Sequence, residues 1–168
     1  MLDIKTTLTA EIVQKYHTTI EVTEDWVAYK NPDYCPTEPS LCENRFNKEG
    51  TVAFYVASGI EVAMKEIPRY DQYELYYMRK GSYNAFDLAK FSEDYGLKEE
   101  FIKSKEQGGY GICQEVAEIV TATDGTISGV IYKSAAMNKN GENGYCLAIL
   151  PPVSVGLGKD FFYQKTGS

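Results

Sequence analysis

Three side chains able to do chemistry fall within one short stretch, N-R-F-N-K-E-G-T-V-A-F-Y-V-A-S-G-I-E-V-A-M-K-E-I over residues 44–67: Arg45, Tyr55 and Glu66. Arginine presents a permanent charge on a planar fork that matches carboxylates and phosphates. Glu66 falls between Val62 and Ala63, at the margin of a core-facing helical stripe. A carboxylate placed there loses hydration and needs a compensating partner. Arg45 is a candidate for that partner, or for a co-ligand of the same substrate. The alternative is an amphipathic helix whose last turn holds a glutamate bonded to a neighbouring amide. Tyr55 lies between the two charges, where its ring could stack on a planar ligand or pack into the core. Further along, Ser134 ends the run G-V-I-Y-K-S; a serine there begins a turn, or joins a site if other polar groups converge on it.

The elements that must position these groups follow from periodicity. Residues 52–57 form a short apolar run with β-branched and aromatic members, which predicts a buried strand. Ser58 then opens a helix, with Glu61 completing an S-x-x-E capping box. Ile60, Ala63, Met64 and Ile67 share one arc of that helix, while Glu61 and Lys65 are spaced as a solvated ion pair. Upstream, residues 9–17 read as a helix capped by Thr9 with His17 at its end, and 18–27 as one or two strands ending near Tyr29. Residues 31–44, with Pro32, Pro36 and Pro39, read as a long loop of the kind that carries function. Downstream of Pro68, strands are predicted at 73–78 and 83–88, a charged helix at 88–103, and a break at Gly108-Gly109. A core helix follows at 110–121, with Ile112, Val116, Ile119 and Val120 on one face. Strands close the domain at 127–132 and 145–150, separated by Asn140-Gly141 and Asn143-Gly144 and stopped by Pro151-Pro152. Helices and strands intermix without regular alternation, so the expected fold is α+β: one compact domain over 1–168, mixed or antiparallel sheets with flanking helices.

Composition narrows the chemistry. With 168 residues, 43% hydrophobic and 24% charged, the chain can bury one sizeable core. A net charge of -7 argues against a broad basic surface for nucleic acid. Four cysteines without C-x-x-C spacing and a single histidine, His17, give no zinc pattern, so no metal is expected. One histidine also makes a Ser-His-Asp triad improbable, and no G-x-S-x-G elbow occurs. The glycine clusters at 108–111 and 156–158 match neither a P-loop nor a dinucleotide fingerprint and read as turns. No secretory signal or membrane-length apolar segment is present, which suggests a cytoplasmic chain, or one delivered into a target-cell cytoplasm if cut from a larger effector.

The order of these segments resembles the RES domain family. N-R-F-N-K-E-G is similar to its G-R-F-N-P-x-G segment, V-A-F-Y-V-A to its strand with tyrosine, and E-V-A-M-K-E-I to its E-T-A-L-A-E-V helix. Y-G-I-C-Q-E-V-A resembles its helix with a glutamine, and G-V-I-Y-K-S its Y-x-S strand end; the likeness covers roughly residues 27–150. Asn44 and Lys48 depart from the pattern, and Tyr29-Lys30 stands where the family commonly has Y-R. Lysine keeps the charge but loses the bidentate fork. The resemblance implies an ADP-ribosyltransferase-like fold and a bacterial toxin that destroys NAD by phosphorolysis or hydrolysis, held in check by an antitoxin or immunity protein. It implies NAD as substrate, with inorganic phosphate a candidate co-substrate. Glu66 would face the oxocarbenium-like centre or hold a ribose hydroxyl, and Arg45 and Lys30 would bind pyrophosphate, with Tyr29 beside them. Tyr55 would stack on nicotinamide, and Ser134 would position ribose or phosphate. Two alternatives remain open: transfer of ADP-ribose to a macromolecule, and a catalytically inactive binding module.

Overall fold

The apolar run near the C-terminus becomes the middle of the sheet. Every residue from Cys146 to Ile149 is buried, as a strand covered on both faces requires. The computed structural model describes residues 3–23, 26–30, 43–67, 69–139, 141–157 and 161–164. Within them the strands are β1 (His17–Val22), β2 (Val27–Lys30), β3 (Phe54–Ala57), β4 (Glu74–Met78), β5 (Gly81–Asp87), β6 (Gly129–Lys133), β7 (Tyr145–Ile149) and β8 (Phe162–Tyr163). They form one mixed sheet in the order β1-β5-β6-β7-β3-β2-β4-β8. Only β5 and β6 run parallel, and their connection is correspondingly a long helical crossover.

The helices are α1 (Ile4–Thr7), α2 (Ala10–Lys15), α3 (Ile60–Glu66), α4 (Leu88–Asp94), α5 (Lys98–Phe101), α6 (Gly109–Thr123), α7 (Ala135–Lys139) and α8 (Val153–Leu157). The fold is α+β. Strand alternation divides the core in two. Ala57, Val130, Tyr132, Cys146 and Ala148 join the cluster under the larger helices, whereas Phe54, Val56, Leu147 and Ile149 point to the other face, among Phe161 and Phe162. Burial of a large apolar side chain such as Phe86 or Phe91, both fully enclosed, contributes about 1.5–3 kcal/mol. Among the described residues no helix is long and apolar enough to cross a membrane.

Several local expectations change. The helix expected over 88–103 is broken by a Schellman closure: Gly96 takes φ 66°, its N–H donates to the Glu93 carbonyl, and Leu97 N–H donates to the Ser92 carbonyl. On α6 the buried face is Cys113, Gln114, Val116, Ala117 and Val120; Ile112 and Ile119 pack only partly against the core. The capping box at Ser58 does not form. Ser58 instead extends the β3–β7 ladder, its N–H donating to the Tyr145 carbonyl and its hydroxyl accepting from Tyr145 N–H, so Gly59 caps α3 without a side-chain bond. Thr9 does cap α2, accepting from Ile12 N–H, and His17 opens β1. The proline-rich stretch over 31–42 with Cys35 and Cys42, and Pro68, Asn140 and Gly158, lie outside the described residues.

Candidate active site

A weak seam in the sheet makes the cleft. β2 and β3 share a single residue pair, Val27 with Ala57. On its other side each is fully laddered, β2 to β4 and β3 to β7. The two parts of the sheet part at that seam, and a cavity of about 370 Å³ opens along it, lined by Tyr29, Arg45, Tyr55, Glu66, Tyr110 and Tyr132. Small side chains, Ala57, Ala63 and Cys146, line it between them and leave room for a ligand above the strands.

Glu66 is the last residue of α3. Val62 and Ala63 are the buried members of that helix, so the residue one turn beyond them is aimed over the same strands. Ile60, expected in the core arc, is 46% exposed. Glu66 itself stays exposed, and it does so inside the cleft. Its partner is a serine, not the arginine. The Ser134 hydroxyl donates to Glu66 Oε1, and the Cys146 thiol donates to the same oxygen at 3.7 Å. Ser134 is wholly buried and also accepts from Met137 N–H at 3.2 Å. It therefore caps α7, a helix where the sequence showed only a turn.

Arg45 is held apart from Glu66. Its Nη1 donates to the Phe101 carbonyl at 3.0 Å and to the Lys103 carbonyl at 2.8 Å, and its guanidinium lies 5.0 Å from the Tyr110 ring centroid. The Gly96 closure and the short α5 bring those carbonyls into place. Tyr55 fixes the loop from the other side: its hydroxyl donates to Asn47 Oδ1 at 2.6 Å and accepts from Phe46 N–H at 3.0 Å. Burial pushes the Tyr55 phenol well above its ordinary value, so it stays a neutral donor. Gln114 completes the clamp, its Nε2 donating to the carbonyls of Asn44 at 3.0 Å and Asn47 at 3.2 Å and to the Glu43 carboxylate.

Lys30 and Tyr29 separate by strand alternation. Tyr29 packs on the cleft-side cluster and its ring centroid lies 5.5 Å from that of Tyr70. Lys30 borders the cleft, but its ammonium sits 4.6 Å from the Phe162 ring centroid, a residue of the opposite cluster. Burial pushes its pKa down to about 8. The structure thus brings Arg45, Tyr55, Glu66, Ser134 and Tyr29 around one cleft, with Lys30 at its border and its ammonium over the Phe162 ring.

Four contributors were not singled out as site residues from the sequence: Tyr110, Gln114, Tyr132 and Cys146. Gln114 carried a usable signal, a polar residue inside the apolar stripe of Cys113, Val116, Ala117 and Val120. Tyr110 and Tyr132 stood in the quoted Y-G-I-C-Q-E-V-A and Y-x-S segments but among fourteen tyrosines had no role assigned, and Cys146, a cysteine in an apolar strand, reads as core. Burial raises the Tyr132 phenol and, together with the Glu66 charge, the Cys146 thiol, so both stay protonated.

The arrangement offers an exposed carboxylate held from behind, a guanidinium with a fixed position, and aromatic walls between them. A family model described as the RES domain matches residues 18–160. Neither curated proteins nor solved structures give a significant match.

Proposed function

The chain belongs to the RES domain family, and from that premise we propose that it degrades NAD by cleaving the nicotinamide–ribose bond. One observation carries the reading: Ser134 donates to Glu66 within the same cleft that Arg45 and four tyrosines line. Loss of nicotinamide builds an oxocarbenium-like centre on the ribose, and a carboxylate beside it stabilises that charge. Glu66 supplies the carboxylate. Nicotinamide leaves as a neutral base from a cationic ring, so no strong general acid is needed, which suits a site with no histidine. Arg45, its Nη1 already fixed by two carbonyls, keeps its remaining donors for the pyrophosphate oxygens. The aromatic walls flank the flat nicotinamide ring and limit water at the reacting carbon.

The acceptor of the ADP-ribose unit is inorganic phosphate or water. In a cell this reaction drains a shared cofactor, so the protein acts as a toxin and is restrained by an antitoxin that closes the cleft. The test is NAD consumption by purified protein with and without inorganic phosphate, with mass analysis of products. Free nicotinamide with a phosphate-dependent ADP-ribose product supports a phosphorylase, and ADP-ribose alone supports a glycohydrolase. Label transferred to a macromolecule would replace the reading with ADP-ribosyl transfer. Intact NAD in both buffers would leave a binding module.

A further inference from the structure

Glu66 sits where a carboxylate is hard to keep still. It ends α3, where the helix dipole disfavours negative charge, and its side chain is exposed. A single hydrogen bond from Ser134 leaves the carboxylate free to turn about that bond. The strands beneath supply a second restraint. Tyr132 of β6 pairs directly with Cys146 of β7, so both side chains stand on the cleft face; Ser134, two residues beyond Tyr132, continues that face. Ala57 pairs with Cys146 on the other side, and its small side chain leaves the thiol open to the carboxylate. The thiol donates to Glu66 Oε1 at 3.7 Å.

From this geometry we infer that Cys146 is a positioning residue for Glu66, acting with Ser134 from a different strand to lock Oε1 and present Oε2 to the substrate. Both donors converge on one oxygen; among the described residues Oε2 accepts no hydrogen bond. Two donors from two directions stop rotation where one cannot. The catalytic part of this inference rests on the NAD-cleaving reading; the contact itself does not.

The test pairs kinetics with a spectroscopic probe of the thiol. Cys146→Ala is expected to lower kcat for NAD about fivefold to tenfold with KM unchanged, the size of an ordinary lost hydrogen bond, since a thiol is a weak donor. Cys146→Ser keeps a donor and is expected to recover to within about twofold of the parent. Wild-type kcat in Cys146→Ala, or equal impairment in the serine variant, overturns the inference. Infrared spectroscopy of the parent supplies the second readout and does not require the alanine variant to fold. The S–H stretching band that disappears in Cys146→Ser should move to higher frequency in Glu66→Ala, and an unmoved band overturns the contact. A parent protein inert toward NAD removes the NAD reading alone, and the infrared band still decides whether the thiol holds the carboxylate.

Discussion

Ser134 and Glu66 stand 68 residues apart in the chain, yet the buried serine hydroxyl donates to Glu66 Oε1 at the edge of the cleft. The same hydroxyl accepts from Met137 N–H, so one buried side chain both caps α7 and holds the carboxylate at the end of α3. Those two tasks separate experimentally.

Glu66→Gln is expected to reduce NAD cleavage to a small residual rate while leaving the thermal melt near that of the parent, since the side chain is exposed and an amide can still accept from Ser134. Ser134→Ala should lower kcat about tenfold or more, the loss expected for a hydrogen bond to a charge, and also cost about 0.5–2 kcal/mol of stability through the lost cap. A double-mutant cycle on kcat checks the coupling. If Ser134→Ala reduces residual activity equally with and without Glu66, the serine does not act through the carboxylate.

Tyr55→Phe removes a hydroxyl that both donates to Asn47 and accepts from Phe46. Losing both bonds should cost about 1–3 kcal/mol in chemical denaturation. Because the loop carries Arg45, KM for NAD should rise with kcat less affected, and Arg45→Ala should raise KM further. A Tyr55→Phe variant with unchanged KM would show that the loop holds Arg45 without the phenol.

Gly109 opens α6 so close to the Lys103 carbonyl that a Cβ there would overlap it. That carbonyl accepts from Arg45 Nη1. Gly109→Ala should therefore weaken NAD binding as well as stability, whereas Gly111→Ala, where a Cβ meets nothing within 4 Å, should leave binding unchanged. Isothermal titration of NAD into cleavage-deficient Glu66→Gln backgrounds distinguishes the two.

Lys30 is half-buried, and desolvation lowers its pKa to about 8 against an ordinary 10.5. Below about pH 8 native and unfolded chains are both protonated, and the folded state bears the full cost of the buried charge. As pH rises from 8 towards 10.5, the native lysine loses its proton while the unfolded one keeps it, and the cost fades. Lys30→Met is thus expected to raise the melting temperature most at pH 7 and progressively less up to pH 10.5. Since the ammonium faces Phe162, KM for NAD should change less than about twofold. A tenfold rise would mean that the lysine reaches the pyrophosphate after all.

The helices and strands near the site were legible where one period dominated. The runs at 73–78 and 145–150 became β4 and β7, because alternating or continuous apolar residues leave a buried strand few other solutions. Helix α7 was not legible: A-A-M-N-K has no apolar stripe, and it is held by Ser134 accepting from Met137 N–H. The capping box failed for a similar reason, since a nonlocal ladder bond to Tyr145 claimed Ser58.

By itself the sequence determined the α+β class, the order of the segments, and the placing of Arg45, Tyr55, Glu66 and Ser134 in motifs of one family, because hydrophobic period and motif order are local properties. Only the tertiary structure decided the partners. It gave Glu66 to Ser134 and Cys146, held Arg45 on the carbonyls of Phe101 and Lys103, and turned the Lys30 ammonium over Phe162. Side-chain pairing across a sheet depends on register and on which face each residue takes. A one-residue step along β2 sends Tyr29 and Lys30 to opposite faces, a distinction that charge and spacing in the chain do not encode.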